Sequence, residues 1–323
     1  MSAASLGGVP DAGLTLGRLG FGAAGIGNLY RAMPDSQAED TINAAWDAGV
    51  RYFDTAPHYG LGLSERRLGA ALRGRPRDAF TISTKVGRLL VPQDAHGRVD
   101  EEGFDVPADN RRVWDFTEAG IRRSIEDSLV RLGLDHVDIA YLHDPDAHDL
   151  AAGISQALPA LEKLRAEGVV KAIGVGTNSA EAALACVESA ELDLVMLAGR
   201  YTLLEQPGVP LLDRCTARGT GVVNVGVFNS GLLARPEVPE DAHYNYGRAP
   251  RGLLERARKL AGVCRDFGVE LPTAALQFSL RHPAVVNVTV GASRPEQAVG
   301  NAARMAEDVP EELWAALAAV PHD

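Results

Sequence analysis

Three ionisable side chains of the kind that can move a proton to a carbonyl oxygen close successive β-rich runs. Asp54 ends Tyr52-Phe53-Asp54, Lys85 ends Thr81-Ile82-Ser83-Thr84-Lys85, and His143 ends Ile139-Ala140-Tyr141-Leu142-His143. Tyr59 lies just past the first of these runs. A charge at such depth is costly unless it is paired. Hydride transfer to a carbonyl builds negative charge on its oxygen, so a proton must arrive there. A tyrosine at its free pKa of about 10 exchanges poorly at neutral pH. A neighbouring ammonium favours the phenolate and lowers that pKa. Asp54 would keep Lys85 charged and oriented, and His143 would donate to the same substrate oxygen. Donors aimed at a developing oxyanion stabilise it without a metal. Each residue also has a structural reading. Asp54 could cap a turn, Lys85 could pair with it, His143 could bond backbone, and Tyr59 could simply pack. Their joint placement on neighbouring strand ends favours the chemical reading.

The elements that must position these groups alternate along the chain. Short β-rich runs fall at 18–23, 51–55, 80–85, 137–143, 170–176, 192–197, 221–227 and 285–291. Between them, apolar residues near helical spacing predict helices at 36–48, 64–72, 117–132, 153–167, 180–189, 210–218, 253–267 and 295–305. Thr117 reads as an N-cap, and Gly49, Gly133, Gly168 and Gly268 read as left-handed caps. Eight strands and eight helices in strict alternation imply parallel pairing with right-handed crossovers. A closed barrel and an open doubly wound sheet both satisfy that pattern. Eight repeats without a composition break favour an α/β fold of the (β/α)8 TIM-barrel type, one domain over residues 1–323. Segments 86–116 and 229–252 are long for simple connections. Both follow strands, so both would rise from the C-terminal face, where barrel active sites sit.

The bulk numbers exclude several classes. The 323 residues are 46% hydrophobic and 6% aromatic, which suits a core of small aliphatics in a helix-covered parallel sheet. A net charge of −11 argues against nucleic acid as a partner. Cys186, Cys215 and Cys264 are isolated, which argues against a zinc site of the CxxC type or a disulfide framework. No signal peptide and no membrane span are read, so a cytoplasmic protein is expected, its oligomeric state open. Gly20-Phe21-Gly22-Ala23-Ala24-Gly25 spells GxGxxG, but no helix can open before about Asp35, so a Rossmann site is rejected. Those glycines would instead let backbone approach a ligand at the mouth of the first strand. His143-Asp144-Pro145-Asp146-Ala147-His148-Asp149, with His58, is rich in metal-ligand types, yet no HxH ends an early strand. No metal is expected.

The run Phe53-Asp54-Thr55-Ala56-Pro57-His58-Tyr59-Gly60, followed by Ser64-Glu65 and Leu68-Gly69, resembles the aldo-keto reductase signature. Ser83-Thr84-Lys85, Tyr141-Leu142-His143 and Gly174-Val175-Gly176-Thr177-Asn178 are similar to its later parts. The resemblance covers nearly the whole chain. It implies that Tyr59 is the general acid/base, that Lys85 and Asp54 tune it, and that His143 positions the substrate. It also implies NADP or NAD lying across the barrel mouth. Gly22, Ala23 and Asp54 would flank it, Thr177 and Asn178 would hold its carboxamide, and Tyr201 would add a contact. Phe228 would stack on the nicotinamide. Asn229, Ser230, Gly231 and Leu232 would line the pyrophosphate, and Gly291, Ser293, Arg294, Gln297 and Asn301 the adenosine end. Ala198 stands where the family often has Gln. Arg294 could meet a 2′-phosphate, although Glu296 is nearby.

Further stretches, such as Ser83–Arg88, His143–Asp146 and Phe228–Gly231, are similar to the branch that oxidises L-fucose or D-threo-aldoses, with pyridoxal dehydrogenase as a relative. That branch turns a hemiacetal hydroxyl at C1 into a lactone. A sugar would then be the small-molecule substrate, with Trp114 and Tyr244-Asn245-Tyr246 as its expected contacts beside Tyr59 and His143. The competing expectations are a general NADPH-dependent aldehyde or ketone reductase and a cofactor-sensing regulatory subunit.

Overall fold

The computed structural model describes residues 8–9, 13–240, 243–244 and 247–321. Eight parallel strands close into a barrel: β1 (Leu19–Gly22), β2 (Tyr52–Asp54), β3 (Thr81–Val86), β4 (Ile139–His143), β5 (Ala172–Thr177), β6 (Leu194–Ala198), β7 (Gly221–Val225) and β8 (Val285–Gly291). They pair in chain order, and β8 closes on β1 through Val288↔Leu19 to Gly291↔Gly22. All eight expected strands are present, each within a few residues of its expected bounds.

Successive strand residues point to opposite faces. Tyr52, Ile139, Tyr141, Leu194, Met196 and Val223 fill the barrel interior, with Leu14 and Leu16 below them. Phe53, Ile82, Ala140, Leu142 and Val195 face outward into the larger core beneath the helices. The same alternation puts Asp54 two residues above Tyr52, and His143 two above Tyr141, on the inner face. Gly20 belongs to this interior. A Cβ there would lie 2.3 Å from Thr289 Oγ1 and 2.7 Å from the Tyr52 ring. That glycine makes room for side chains inside the barrel, a correction to its expected role at a ligand. A short 3-10 turn, Gly25–Gly27, follows β1, and helix α1 (Asp35–Asp47) starts where expected.

The outer ring continues with α2 (Leu63–Leu72), α3 (Glu118–Leu132), α4 (Leu158–Ala166), α5 (Ala180–Ser189) and α6 (Val209–Arg218). Thr117 caps α3 by accepting from Gly120 N at 3.1 Å. The helix expected at 153–167 is composite. Asp149 caps a single turn, Leu150–Ala152, and a π turn over Gly153–Ala157 leads into α4. Pro159 near the start of α4 has no N–H to give, and the π turn lies where that bond would run.

Strict alternation fails after β7. Two helices, α7 (Arg251–Asp266) and α8 (Leu271–Phe278), precede β8, and α9 (Pro295–Ala306) and α10 (Glu311–Ala318) follow it. Helix α8 escapes sequence reading because Leu271 to Gln277 are all buried. A helix apolar all round has no amphipathic period. It packs on α9 and on α7, and α7 packs in turn on α10, around Leu203, Leu232, Leu260 and Leu313.

Both long connections rise from the C-terminal face. The first folds as an antiparallel hairpin, Arg88–Pro92 with Asn110–Trp114, and its tip bridges back through Leu29↔Phe104. The second carries a short pair, His243–Tyr244 with Gly247–Arg248. Asn245 and Tyr246, expected at a sugar, lie outside the described residues. Among the described residues, no helix is long and apolar enough to cross a membrane.

Candidate active site

The register of β2 and β3 sets Asp54 beside Ser83, two residues before Lys85 on the same inward face. Lys85 Nζ donates to Asp54 Oδ2 at 2.6 Å and to the Thr55 carbonyl at 2.9 Å. Ser83 Oγ donates to Asp54 Oδ1 at 2.7 Å. An ammonium has three donors, so Lys85 keeps one beyond Asp54 and Thr55, on the side of Tyr59. Lys85 Nζ lies 4.6 Å from the centre of the Tyr59 ring. Tyr59 is placed by a tight turn. Gly60, Leu61 and Gly62 all have positive φ, and a Cβ on Gly60 would lie 2.2 Å from the Gly27 carbonyl oxygen. Only glycine lets the two loops meet there. His143 stands edge-on to Tyr59, ring centres 5.9 Å apart. The four expected residues therefore converge.

Burial works against the Lys85 charge, but Asp54 and Tyr59 outweigh it and hold the ammonium above its usual range. Burial pushes the Asp54 carboxyl up, and Lys85 and Ser83 pull against it. The expectation for Tyr59 needs correcting. Lys85 lowers its pKa, but burial raises it by more, so the hydroxyl sits above the ordinary tyrosine value. Burial, then the cations Arg88 and Lys85, hold His143 well below its usual value, so it is a neutral imidazole.

A second ring of polar groups surrounds these four, in which His58 and Asp144 were weighed from sequence only as metal-ligand types. Arg88 Nη2 donates to Asp144 Oδ2 at 2.5 Å, and its Nη1 meets His58 Nδ1 at 3.3 Å. Guanidinium only donates, so His58 Nδ1 accepts and its proton sits on Nε2. Burial and then Arg88 and Arg112 push the His58 pKa down to about 2. His143 Nε2 lies 3.4 Å from Asp144 Oδ2. Arg112 binds Asp100 through both Nη atoms at 2.5 and 3.1 Å and donates to the His58 carbonyl at 2.9 Å. Arg88 and Asp144 lie inside runs that carried the family resemblance, so a signal existed. Arg112 and Glu102 had none, because the hairpin that delivers them folds back from a distance in the chain.

These groups open on a cavity of about 420 Å3 lined by Tyr59, Lys85, His143, Thr177 and Asn178, with Tyr30, Glu102 and Phe104 at the loop side. Met196, Ala198 and Val225 give it an apolar wall. A larger cavity, about 700 Å3, lies at the opposite face among Arg77, Asp138 and Lys171. Its Asp138 binds Arg77 at 2.7 Å and Lys171 at 2.8 Å. We place the chemistry in the smaller one, because only there are cation, phenol and imidazole brought together. Among the described residues no cluster of three His, Cys, Asp or Glu could hold a metal.

The expected cofactor residues fare unevenly. Asn178 is exposed on the cavity. Thr177 also lines it, but its hydroxyl donates to Asp146 Oδ1 at 2.7 Å and accepts from Ser179 N at 3.0 Å. Phe228 is half-buried, and Asn229, Ser230 and Gly231 follow it with positive φ. Among the described residues, buried Asn229 Oδ1 has no partner, an acceptor that suits a bound donor. Gly291 and Arg294 are exposed at the end of β8 and the start of α9. Ser293 donates to Gln297 Oε1, from its N at 2.9 Å and its Oγ at 3.2 Å, and Asn301 is buried beyond them. Taken together, exposed Asn178, orphaned Asn229 Oδ1 and the positive-φ turn fit a nicotinamide dinucleotide.

Four expectations need correction. Tyr201 does not line the cavity. Its ring packs on Phe278 and His282, at 5.2 and 5.7 Å between centres. Leu232 is fully buried in the α7–α10 core, so its side chain lines nothing. Ala23 is buried, its N–H bound to the Asp54 carbonyl at 2.8 Å and its carbonyl to Ser64 Oγ at 2.8 Å. Ala24, the next residue, lines the cavity. Trp114 is sandwiched between the Arg88 guanidinium at 4.4 Å and the His148 ring, stacked at 5.0 Å. Its faces are taken, so the aromatic side chains on the cavity are Tyr30, Tyr59 and Phe104 instead.

A parallel barrel with a buried Lys–Asp pair beneath a tyrosine at its C-terminal mouth defines a class of hydride-transfer enzyme. The sequence matches the Aldo/keto reductase family over residues 18–321, and the chain belongs to that family. It is an oxidoreductase that uses NAD(P). It is 54% identical to a D-threo-aldose 1-dehydrogenase of Pseudomonas sp., over 95% of this chain and 94% of that one. It is 38% identical to a pyridoxal 4-dehydrogenase of Microbacterium luteolum, over 94% of each. Among solved structures, a glycerol dehydrogenase from Gluconobacter oxydans superposes with a TM-score of 0.80 at 25% identity, over 99% of this chain and 95% of that one.

Proposed function

We propose that this enzyme oxidises an aldose at C1, taking a ring-form hemiacetal to the lactone with NAD(P)+. The observation that carries the chemistry is the Lys85 ammonium held between Asp54 and Tyr59 at the cavity floor. The substrate class is supported by the 54% identity to the D-threo-aldose enzyme along nearly the whole chain. A nicotinamide held at the barrel mouth would supply the acceptor for the C1 hydride. Tyr59, as phenolate, takes the proton of the C1 hydroxyl, and the oxygen's electron pair becomes the lactone carbonyl. Lys85 stabilises that phenolate, and Asp54 keeps Lys85 charged and in place. Neutral His143 donates Nε2–H to the same oxygen, so it orients the substrate without competing for the proton.

Asn178, Phe228, Asn229, Ser230, Gly231, Gly291, Ser293, Arg294, Gln297 and Asn301 are the residues proposed to hold the cofactor. The reading extends to one barrel domain, working in the cytoplasm on a small molecule, which three buried free thiols suit.

One observation favours the reverse direction. A Tyr59 pKa above the ordinary value keeps the phenol protonated at neutral pH, as a reductase donating a proton would need. A panel of aldoses with NAD+ and NADP+, set against aliphatic aldehydes and ketones with NADH and NADPH, decides between them. Lactone formation from aldoses with the higher kcat/KM is expected. Aldehyde reduction with no aldose oxidised would overturn the reading.

A further inference from the structure

The cavity end away from Lys85 carries two carboxylates on one arginine. Asp144 Oδ2 takes Arg88 Nη2 at 2.5 Å, and Glu102 Oε2 lies 3.9 Å from Arg88 Nη1. Glu102 Oε1 also lies 3.4 Å from Arg112 Nη1. Both acids line the cavity, and both keep part of their side chains open to it, 30% for Asp144 and 51% for Glu102. Hydrophobic packing explains neither of them. Asp144 is held in an unusual backbone, φ 41 and ψ 57, by its N–H bond to the Gly176 carbonyl at 2.8 Å and by the turn at Pro145. Non-glycine residues in that region cluster at ligand sites. Asp144 Oδ2 is also 3.4 Å from His143 Nε2, the donor assigned to the reacting oxygen.

Vicinal hydroxyl oxygens of a sugar stand about one hydrogen-bond length apart, roughly 2.8 Å. With the C1 oxygen on Tyr59 and His143, the next oxygen along the sugar comes within reach of Asp144. Glu102 lines the same cavity from the hairpin segment, 3.9 Å from the guanidinium that holds Asp144, and is the acid left for the following hydroxyl. An ionised carboxylate accepts from a hydroxyl more strongly than a neutral group does. Arg88 and Arg112 hold both acids in place; burial raises the Asp144 carboxyl, and Arg88 pulls against it. Tyr30 borders the same end, 69% exposed, with φ 62 and its N–H on the Gly103 carbonyl at 2.8 Å. A bulky aromatic seldom adopts that backbone.

We propose that Asp144 and Glu102 are specificity-determining residues that accept the C2 and C3 hydroxyls of the substrate. The enzyme thereby selects polyhydroxylated substrates over monofunctional ones. This inference rests on the aldose reading above. Arg88 is a positioning residue in it, because it acts only through the two acids.

The test is a cycle of substrate and side-chain deletions on the full-length enzyme. Steady-state kcat/KM is measured for an aldose and for its 2-deoxy and 3-deoxy analogues, in the unsubstituted enzyme, Asp144→Asn and Glu102→Gln. In the unsubstituted enzyme each deoxy analogue should lose about 10- to 100-fold, the range of a hydrogen bond to a charged group. Asp144→Asn should shrink the 2-deoxy penalty to within about threefold and leave the 3-deoxy penalty, and Glu102→Gln should do the converse. A variant that merely disturbs the fold lowers all three substrates together and keeps the penalties. Aldose oxidation with no deoxy penalty, or with penalties unchanged by the variants, overturns this inference and leaves the proposed function standing. No aldose oxidation in the unsubstituted enzyme overturns both.

Discussion

Two buried carboxylates, one at each end of the barrel, show how differently the same side chain can be used. Asp138, at the N-terminal face, accepts from Ile82 N at 2.9 Å and from Arg77 and Lys171, both of which reach in from the surface. Despite burial, those partners hold its carboxyl below the usual range. Asp54, at the C-terminal mouth, binds a lysine that is itself buried. Burial there outweighs Lys85 and raises the Asp54 pKa. The acid at the base is saturated by two surface cations and a backbone N–H. The acid at the mouth supports a cation with a donor left over for Tyr59. A saturated pair locks strands together, whereas a pair with spare valence passes charge on to a third group.

The sharpest way to break this contrast is at the third group. Tyr59→Phe should lower kcat by about 10⁴-fold, the upper range for a lost proton-transfer group, while fluorescence titration finds cofactor affinity nearly intact. Retained turnover would refute the role of the hydroxyl. Lys85→Met should cost about 10³-fold in kcat/KM. It also strands a buried carboxylate, so urea denaturation should register a loss of about 3–5 kcal/mol. The matching change at the base, Lys171→Met, removes a half-exposed cation while Arg77 stays. There the loss should be under about 1 kcal/mol, with kcat/KM unchanged. Equal effects of the two lysine substitutions would erase the distinction.

The pH dependence should separate the two ends as well. The oxidation rate should climb with pH toward a Tyr59 pKa above the ordinary value of about 10, because the phenolate is the base. A plateau well below that value would assign the titration to another group. For stability the signs are opposite. The Asp138 pKa is depressed, so its contribution is present above the unfolded carboxylate pKa and lost as pH falls through the folded one. The Lys85 pKa is raised, so its contribution is full below the unfolded lysine value and lost as pH rises through the folded one. Asp138→Asn should therefore destabilise at neutral pH, and its difference from the unsubstituted enzyme should narrow in acid. The smallest effect is expected at Trp114, whose faces are already covered. Trp114→Phe should shift the aldose KM by less than about threefold, as for a change outside a hot spot. A larger change in KM would mean that the sandwich opens onto substrate.

Much of this molecule was legible along the chain. All eight barrel strands follow from runs of aliphatics bounded by turn residues, and the period of two already sets Asp54 and His143 on one face. These are local patterns, in which each residue's direction is dictated by its immediate neighbours. Helix α8 was hidden for an equally physical reason, since a segment buried on every side leaves no period to read. Tertiary structure alone decided the rest. It turned Tyr201 onto Phe278, closed Trp114 between Arg88 and His148, and brought Tyr30, Glu102 and Phe104 to the cavity in their place. It also reversed the expected shift at Tyr59. Desolvation is the sum over all surrounding atoms, most of them far away in sequence, and in this site it exceeds the pull of Lys85. The sequence by itself determined that a lysine, an aspartate, a tyrosine and a histidine would stand at one mouth. The packing of distant loops decided which proton is held there, and which further groups a substrate would meet.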